Sequence, residues 1–238
     1  MTADPLAPLR EFPERTALLF DVDGTLAPIV ARPQLAEVPR TTKAELERLA
    51  GQYLLVAFVS GRSGEDARRL VGLEGRRYIG NHGLELDPAA HELEAQIRAF
   101  RDAVGREVED KGLTLSYHFR EARDEVEARA DLEEVARRAV ADGLVPRWGR
   151  KVLEIRPAVE ADKGTAVRAL LHEAGARRAF YAGDDTTDLD AFSALADAGL
   201  EHFVRVAVAS DEAPPGLIEA ADLVVANPRE LTTLLARL

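Results

Sequence analysis

Short apolar runs alternate with segments of helical periodicity along much of the chain. The runs that predict buried strands are residues 17–20, 53–59, 77–79 and 178–182. Residues 41–50 carry Leu46 and Leu49 on one helical face, with Thr41 or Thr42 as the expected cap, and residues 163–174 predict a helix that Gly175 ends. This alternation predicts an α/β fold with a doubly wound, Rossmann-like parallel sheet.

The pattern changes at about Leu84. Residues 91–111 and 121–142 are rich in Glu, Arg and Ala at helical spacing, whereas residues 113–119 and 144–157 predict strands. We interpret residues 85–157 as a smaller inserted α+β domain, and residues 1–84 with 158–238 as the core domain. The Glu and Arg neighbours on the inserted helices are explained by a solvated face and need no ligand.

Composition narrows the class of protein. The chain has 238 residues, of which 46% are hydrophobic, and its formal net charge of −11 disfavours binding to nucleic acids or to an anionic membrane surface. Cysteine is absent, which excludes disulfides, thiol catalysis and Cys-ligated zinc. No apolar stretch is long enough to span a bilayer, and residues 1–13 lack the apolar centre of a signal peptide. We therefore expect a cytoplasmic protein.

Two carboxylates stand where the first predicted strand ends. Asp21 and Asp23 follow the run 17–20 and precede Gly24, and extended backbone points both side chains the same way. Ligands of open α/β sheets bind beyond the carboxyl ends of the strands. Two such carboxylates can hold Mg²⁺, and one can attack a phosphoryl group while the other transfers a proton. A polar turn is the simpler alternative. A calcium EF-hand loop is excluded, since a strand precedes the motif and its twelfth position is Arg32.

Polar side chains also follow the other predicted strands. Ser60 follows the second, and its hydroxyl can donate to a phosphate oxygen, although Ser-Gly-Arg is more often a turn. Lys163 lies in the first turn of a helix, where the macrodipole disfavours a cation unless an anion compensates it. Asp184, Asp185 and Asp188 follow the strand 178–182. Three carboxylates so close together repel one another unless a cation intervenes, whereas a helix cap explains only one of them.

The ordered set of motifs resembles the haloacid-dehalogenase-like phosphatases. It consists of residues 21–25 (Asp-Val-Asp-Gly-Thr), Ser60, Lys163 and residues 183–188 (Gly-Asp-Asp-Thr-Thr-Asp). Within that superfamily, residues 80–83, 149–157 and 162–164 with the 183–188 segment look like the trehalose-6-phosphate phosphatases. The sequence departs from the family at Leu189, where members often carry a glutamate.

The resemblance implies roles for the motif residues. Asp21 would be the nucleophile and Asp23 the general acid and base, while Ser60 and Lys163 would hold the phosphoryl oxygens. Mg²⁺ would lie between Asp21, the Asp23 carbonyl and Asp184, supported by Asp185 and Asp188. The inserted domain would be a cap that closes over the sugar. The implied disaccharide-binding residues are Arg62, Asn81, His82, His118, Arg120, Lys151 and Glu154.

The implied reaction is hydrolysis of trehalose 6-phosphate, the last step of trehalose synthesis, after a partner synthase has made this substrate. We expect a monomer with no nucleic-acid or membrane partner. A phosphomannomutase-like enzyme shares the 20–25 string and remains an alternative, as does a phosphatase of another sugar phosphate. A non-catalytic sugar-phosphate sensor is a third possibility, but such a module has no need of a nucleophile beside an acid.

Overall fold

The computed structural model of the protein describes residues 4–30, 33–149, 151–209 and 214–238. The chain divides into two compact units, Met1–Gly83 with Ala161–Leu238, and Leu84–Glu160. The sequence pattern predicts these divisions at 84/85 and 157/158. We call the first the core unit and the second the inserted unit.

The core unit is built on a six-stranded sheet. The strand order is β10-β9-β8-β1-β2-β3, and every neighbouring pair is parallel. The strands are β1 (Thr16–Phe20), β2 (Leu55–Val59), β3 (Arg77–Ile79), β8 (Arg178–Gly183), β9 (His202–Val208) and β10 (Leu223–Val225). The predicted α/β class with a parallel sheet is confirmed, and the strands β9 and β10 extend it.

β1 lies at the centre of the sheet because the residues that follow Thr16, Ala17 to Phe20, are apolar on both faces. All five of its residues are fully buried, as expected for a strand covered by helices on both sides. The ring of Phe20 lies 6.1 Å from that of Phe58 on β2 and 5.7 Å from that of Phe180 on β8. Because β2, β1 and β8 are parallel neighbours, their carboxyl ends lie at one edge of the sheet.

Helices precede, connect and follow the strands of the core unit. They are α1 (Ala7–Glu11), α2 (Arg40–Ala50), α3 (Gly64–Val71), α7 (Lys163–Ala174), α8 (Asp188–Asp197), α9 (Pro215–Ala220) and α10 (Pro228–Leu235). α7 begins after Asp162, which forms a capping box with Thr165, and ends at Gly175 with φ of +63°. The predicted threonine cap of α2 is wrong, because Pro39 is the N-cap residue and the buried Thr42 hydroxyl lies 2.8 Å from that of Thr232.

The inserted unit packs helices on one face of an antiparallel sheet of order β4-β5-β7-β6. Its elements are α4 (Pro88–Glu92), α5 (Glu94–Val104), β4 (Glu109–Asp110), β5 (Leu115–His118), α6 (Glu125–Ala141), β6 (Val145–Gly149) and β7 (Val152–Arg156). The predicted helix 91–111 runs too far, because Gly105 ends α5 in a left-handed conformation and β4 follows. Alternate residues of β5 and β7, such as Leu115 and Leu153, lie in its hydrophobic core.

Candidate active site

Asp21 and Thr25 lie in a tight turn that follows β1. The Asp21 backbone N–H donates to Ala182 O at 2.9 Å, which extends the pairing of β1 with β8 by one residue. The backbone N–H groups of Leu26 and Ala27 both donate to Val22 O. The buried Thr25 hydroxyl lies 3.4 Å from Asp21 Oδ2 and 3.3 Å from Asp184 Oδ1. The turn therefore brings the Asp21 side chain beside Asp184, which follows β8.

Gly24 is the residue that permits this approach. Its φ is +79°, a conformation that side-chain-bearing residues rarely adopt. A Cβ built on Gly24 would also overlap the Asp184 carboxylate. The glycine of the first motif is thus required by an aspartate of the last motif, in addition to the needs of the turn itself.

Lys163 joins two of the buried carboxylates. Its Nζ donates to Asp21 Oδ1 at 2.8 Å and to Asp188 Oδ1 at 2.7 Å, and all three side chains are buried. Burial lowers the pKa of Lys163, but the charges of Asp188 and Asp21 outweigh this effect and raise the pKa overall. The lysine is therefore a permanent cation at the carboxyl end of the sheet.

Asp188 accepts four hydrogen bonds from the protein. Oδ1 accepts from Lys163 Nζ and from the Tyr181 hydroxyl at 2.7 Å, and Oδ2 accepts from the backbone N–H groups of Asp184 and Asp185 at 3.0 and 2.9 Å. A carboxylate offers about four lone-pair positions. Each of these positions on Asp188 has a protein donor, so the side chain acts as a brace for Lys163 and the 184–185 backbone.

The acidic cluster carries more negative charge than the lysine can balance. Asp21, Asp184 and Asp188 each place a carboxylate oxygen within 4.8 Å of the others. Burial, partly opposed by Lys163, raises the pKa of Asp21 to about 7, with Asp188 and Asp23 adding to the rise. Burial and the charges of Asp21 and Asp188 likewise raise the pKa of Asp184 well above its usual range. Three ionised carboxylates and one ammonium leave a charge of −2, which suits a divalent cation with oxygen ligands.

This imbalance predicts a pH-dependent stability. A carboxyl whose pKa is raised from 3.8 to about 7 holds its proton more tightly in the folded state, so its stabilising effect is lost as pH rises through this window. In EDTA, we expect the melting temperature of the wild type to fall between pH 5 and pH 8. This fall should exceed that of Asp21→Asn by about 5 °C. We expect Mg²⁺ to raise the wild-type melting temperature more at pH 8 than at pH 5, because it competes with protons.

Differential scanning fluorimetry of both proteins across this pH range, in EDTA and in MgCl₂, measures the effect. Asp197→Asn, an amide substitution at an exposed position of the same unit, serves as the control and should follow the wild type. Parallel melting profiles of wild type and Asp21→Asn would show that the Asp21 carboxyl does not titrate in this window.

Arg62 contacts Asp23. Its Nε donates to Asp23 Oδ2 at 2.7 Å and its Nη2 to Oδ1 at 2.6 Å, a bidentate pair with the planar geometry typical of arginine and carboxylate. The backbone N–H of Arg62 donates to the buried Ser60 hydroxyl at 3.1 Å. The structure thus places Arg62, expected at the sugar, on the side chain expected to be the general acid.

The segment after β3 has an unusual backbone. Asn81, His82 and Gly83 all have positive φ, at 51°, 54° and 100°. Backbone N–H groups of Asn81 and His82 donate to Arg62 O at 2.7 Å and to Ser60 O at 2.9 Å. Such conformations cluster at functional sites, where the surroundings impose them. The two hydrogen bonds attach Asn81 and His82 to the segment that carries Ser60 and Arg62.

The other predicted sugar-binding residues lie in the inserted unit. Glu154 is buried on β7, where it accepts from the Thr114 hydroxyl at 3.2 Å, and the Lys111 ammonium lies 3.8 Å away. His118 Nε2 lies 2.7 Å from Glu109 Oε2, and Lys151, with φ of +55°, forms an ion pair with Glu125. Arg120 lies in the turn that follows β5.

A comparison with known protein families matches most of the chain. The sequence pattern of a family described as trehalose-phosphatase matches residues 19–215, which include every residue of the acidic cluster and the whole inserted unit. The chain belongs to the trehalose-phosphatase family. Among the residues that the structure describes, no helix is long and apolar enough to cross a membrane.

Curated relatives of the trehalose-phosphatase family match most of the chain. A trehalose-phosphate phosphatase of Mycobacterium marinum is 38% identical over 215 residues, covering 80% of this chain and 54% of that protein. The probable trehalose-phosphate phosphatase 4 of Oryza sativa is 35% identical over 213 residues, covering 78% of this chain and 57% of that protein. The chain therefore spans about half the length of these relatives.

Solved structures share the fold. A trehalose-6-phosphate phosphatase related protein superposes with a TM-score of 0.73 at 24% identity, covering 93% of this chain and 96% of the other. A trehalose-6-phosphate phosphatase of Aspergillus fumigatus superposes with a TM-score of 0.61 at 26% identity, covering 99% and 97%. The parallel sheet with an inserted unit is thus common to this trehalose-phosphatase family member and these proteins.

Tyr181 is part of this candidate site, but it was not predicted from the sequence. A tyrosine in a buried apolar strand needs a partner for its hydroxyl. In the sequence, Tyr181 stands three residues before Asp184. This spacing could have indicated that its hydroxyl finds a polar partner just beyond the end of the strand. Its hydroxyl donates to Asp188, and its ring packs edge-on against that of Phe192 at 6.1 Å.

Proposed function

We propose that this protein is a Mg²⁺-dependent phosphatase that hydrolyses trehalose 6-phosphate to trehalose and inorganic phosphate. The observation that carries the proposal is the buried Asp21 carboxylate, held by Lys163 at the carboxyl end of the central strand and next to Asp184. In a chain of the trehalose-phosphatase family, this arrangement supplies a nucleophile, a fixed cation and oxygen ligands for a metal ion.

The residues present fit a magnesium site. The carboxylates of Asp21 and Asp184 and the backbone carbonyl of Asp23 would hold the ion. Asp188, whose lone pairs are engaged by protein donors, would hold the backbone that carries Asp184. Asp185 is exposed and contributes through its backbone N–H to Asp188. The bound ion would neutralise negative charge on the phosphoryl group and on the buried carboxylates.

In the first step, a carboxylate oxygen of Asp21 would attack the phosphorus atom of trehalose 6-phosphate. The bond between phosphorus and the sugar oxygen would break, the sugar oxygen would take a proton from Asp23, and an aspartyl-phosphate would form on Asp21. Lys163, already bonded to Asp21, and the Ser60 hydroxyl would hold the phosphoryl oxygens and stabilise the charge that develops on them.

In the second step, a water molecule would attack phosphorus and give its proton to Asp23. The bond between phosphorus and the Asp21 oxygen would break, which releases inorganic phosphate and restores the Asp21 carboxylate. Asp23 would thus serve as acid first and as base second. Its bidentate pair with Arg62 suits Arg62 to position this side chain.

The inserted unit is proposed as the cap that carries contacts to the disaccharide. Glu154 and Ser116 are direct cross-strand partners on β7 and β5, and Arg147 faces Glu154 from β6. They belong to the face opposite the hydrophobic core of this unit, which contains Leu115 and Leu153. Carboxylate, hydroxyl and guanidinium groups in one row are suitable partners for sugar hydroxyls. His118, Arg120 and Lys151 remain candidates for the same role.

The cellular setting is part of the same proposal. A cytoplasmic monomer would complete trehalose synthesis after a synthase has formed the phosphorylated disaccharide. The net charge of −11 supports a small-molecule substrate over a nucleic-acid partner.

Phosphate release from a panel of sugar phosphates tests the proposed function. The panel contains trehalose 6-phosphate, sucrose 6-phosphate, glucose 6-phosphate and mannose 6-phosphate, each with Mg²⁺ or EDTA. We expect trehalose 6-phosphate to exceed glucose 6-phosphate and mannose 6-phosphate in kcat/KM by at least about 100-fold, because a site that binds both sugar rings leaves polar groups unpaired with a single ring. We expect it also to exceed sucrose 6-phosphate, whose second ring is a five-membered one that places its hydroxyls differently. We expect EDTA to abolish release.

Each alternative predicts a different result. Equal activity across the panel would keep a sugar phosphatase and exclude the trehalose assignment. Conversion of glucose or mannose phosphates only with a sugar bisphosphate activator would indicate a mutase. Binding of trehalose 6-phosphate in Mg²⁺ without turnover would indicate a sensor.

A further inference from the structure

We infer that Tyr181 is a positioning residue of this site, which acts on the metal ligand Asp184 and on Lys163 through Asp188. The inference rests on the proposed function and extends it to a residue that does not touch the substrate. Tyr181 is fully buried on β8, and its hydroxyl donates to Asp188 Oδ1 at 2.7 Å.

The first link is between Tyr181 and the lysine. Asp188 Oδ1 accepts from both the Tyr181 hydroxyl and Lys163 Nζ, and the same ammonium donates to Asp21 Oδ1. The two donors fix the direction in which Oδ1 points. Without the hydroxyl, the Asp188 carboxylate can rotate toward Lys163 and draw the ammonium away from Asp21.

The second link is between Tyr181 and the 184–185 backbone. Asp188 Oδ2 accepts from the backbone N–H groups of Asp184 and Asp185, so the orientation of this carboxylate sets the path of the chain that carries the Asp184 side chain. The packing is close, because a Cβ on Gly183 would overlap the Asp188 side chain. One tyrosine hydroxyl thus supports a phosphate-binding cation and a metal ligand together.

The position of Tyr181 suits it to this role. It lies on β8 between β1 and β9, where its Cα is paired with Leu19 and with Arg205. Its ring packs against Phe192 of α8, the helix that begins at Asp188. A side chain held by the sheet and by the helix can place its hydroxyl with little freedom.

Tyr181→Phe tests the inference, because it removes the hydroxyl and keeps the ring. We expect Mg²⁺ binding, measured by isothermal titration calorimetry, to weaken about tenfold. We expect kcat for phosphate release to fall about 10- to 100-fold, the effect of losing one hydrogen bond to a buried charge, with KM changed by less than about threefold.

Tyr78→Phe is the matched control. The Tyr78 hydroxyl donates to Leu73 O at 2.9 Å, and its ring stacks on Phe58 at 4.7 Å, so this variant also loses one hydrogen bond of a packed tyrosine in the core unit. It should keep wild-type Mg²⁺ affinity and kcat. Equal losses in both variants, in step with their melting temperatures, would reduce Tyr181 to a structural role and overturn the inference.

A double variant tests the route through Asp188. If Tyr181 acts only through this carboxylate, Tyr181→Phe combined with Asp188→Asn should lose no more Mg²⁺ affinity than Asp188→Asn alone. Additive losses would overturn the inference. Should the wild type bind Mg²⁺ without releasing phosphate, the proposed function fails while the binding measurement still decides the role of Tyr181. A wild type that does not bind Mg²⁺ would overturn both.

Discussion

Asp21→Asn is expected to lower phosphate release by at least about 1000-fold, because an amide cannot form the aspartyl-phosphate through which the proposed reaction passes. The variant should still fold, since the amide fits the same volume and removes one of three crowded carboxylates. Phosphate release with trehalose 6-phosphate and Mg²⁺, followed beside a thermal melt in EDTA, measures both effects.

Asp197→Asn supplies the control for the loss of activity. It makes the same chemical change at the exposed end of α8, and it should keep wild-type activity. If Asp21→Asn kept more than about one tenth of the wild-type rate of phosphate release, water would have to attack phosphorus directly. That outcome would exclude the covalent intermediate while leaving the phosphatase assignment intact.

Lys163→Met is expected to reduce both stability and activity. Removing the ammonium leaves Asp21 and Asp188 without their shared donor in a buried site, which costs about 3–5 kcal/mol in free energy of unfolding. Phosphate release should fall by at least about 1000-fold, because the proposed phosphoryl-binding cation is gone. Urea denaturation at pH 8 in EDTA and a phosphate-release assay in Mg²⁺ give the two values.

Lys43→Met, at a half-exposed lysine of α2, controls for the loss of a charge elsewhere in the core unit. We expect it to change the free energy of unfolding by less than about 0.5 kcal/mol. If Lys163→Met were as stable as this control at pH 8, the buried carboxylates would not depend on the lysine, and the charge balance inferred for the site would be incorrect.

Hydrophobic patterning was sufficient to predict the central strands and the chemistry at their ends. Short apolar runs ended by glycine or a polar residue have few alternatives to buried strands, and the carboxyl ends of parallel strands share one edge. Asp21, Asp184 and Asp188 therefore come together as the motif order indicates. The strand order does not place Lys163 beside these carboxylates, because Lys163 begins helix α7. In the sequence its role was implied only by the family resemblance.

Contacts between distant side chains could not be predicted in the same way. Arg62 has a long side chain with several possible partners, and only the fold brings Asp23 within reach of its guanidinium. The clash that excludes a Cβ at Gly24 depends on the placement of Asp184 after a different strand. The predicted helix 91–111 is too long because helix-favouring residues continue after Gly105, where α5 ends. Residues 109–110 form β4 instead, because they pair with β5 across the sheet.

The pairing of β1 with β8 has a consequence for the order in which the protein is made. A ribosome completes β1, β2, β3 and the whole inserted unit before it produces β8, so one edge of the largely apolar strand β1 stays uncovered during this time. The inserted unit is continuous in sequence and has its own hydrophobic core, which suits it to early folding. The nucleophile is thus synthesised early but acquires its lysine and its neighbouring carboxylates only when the second half of the core unit emerges.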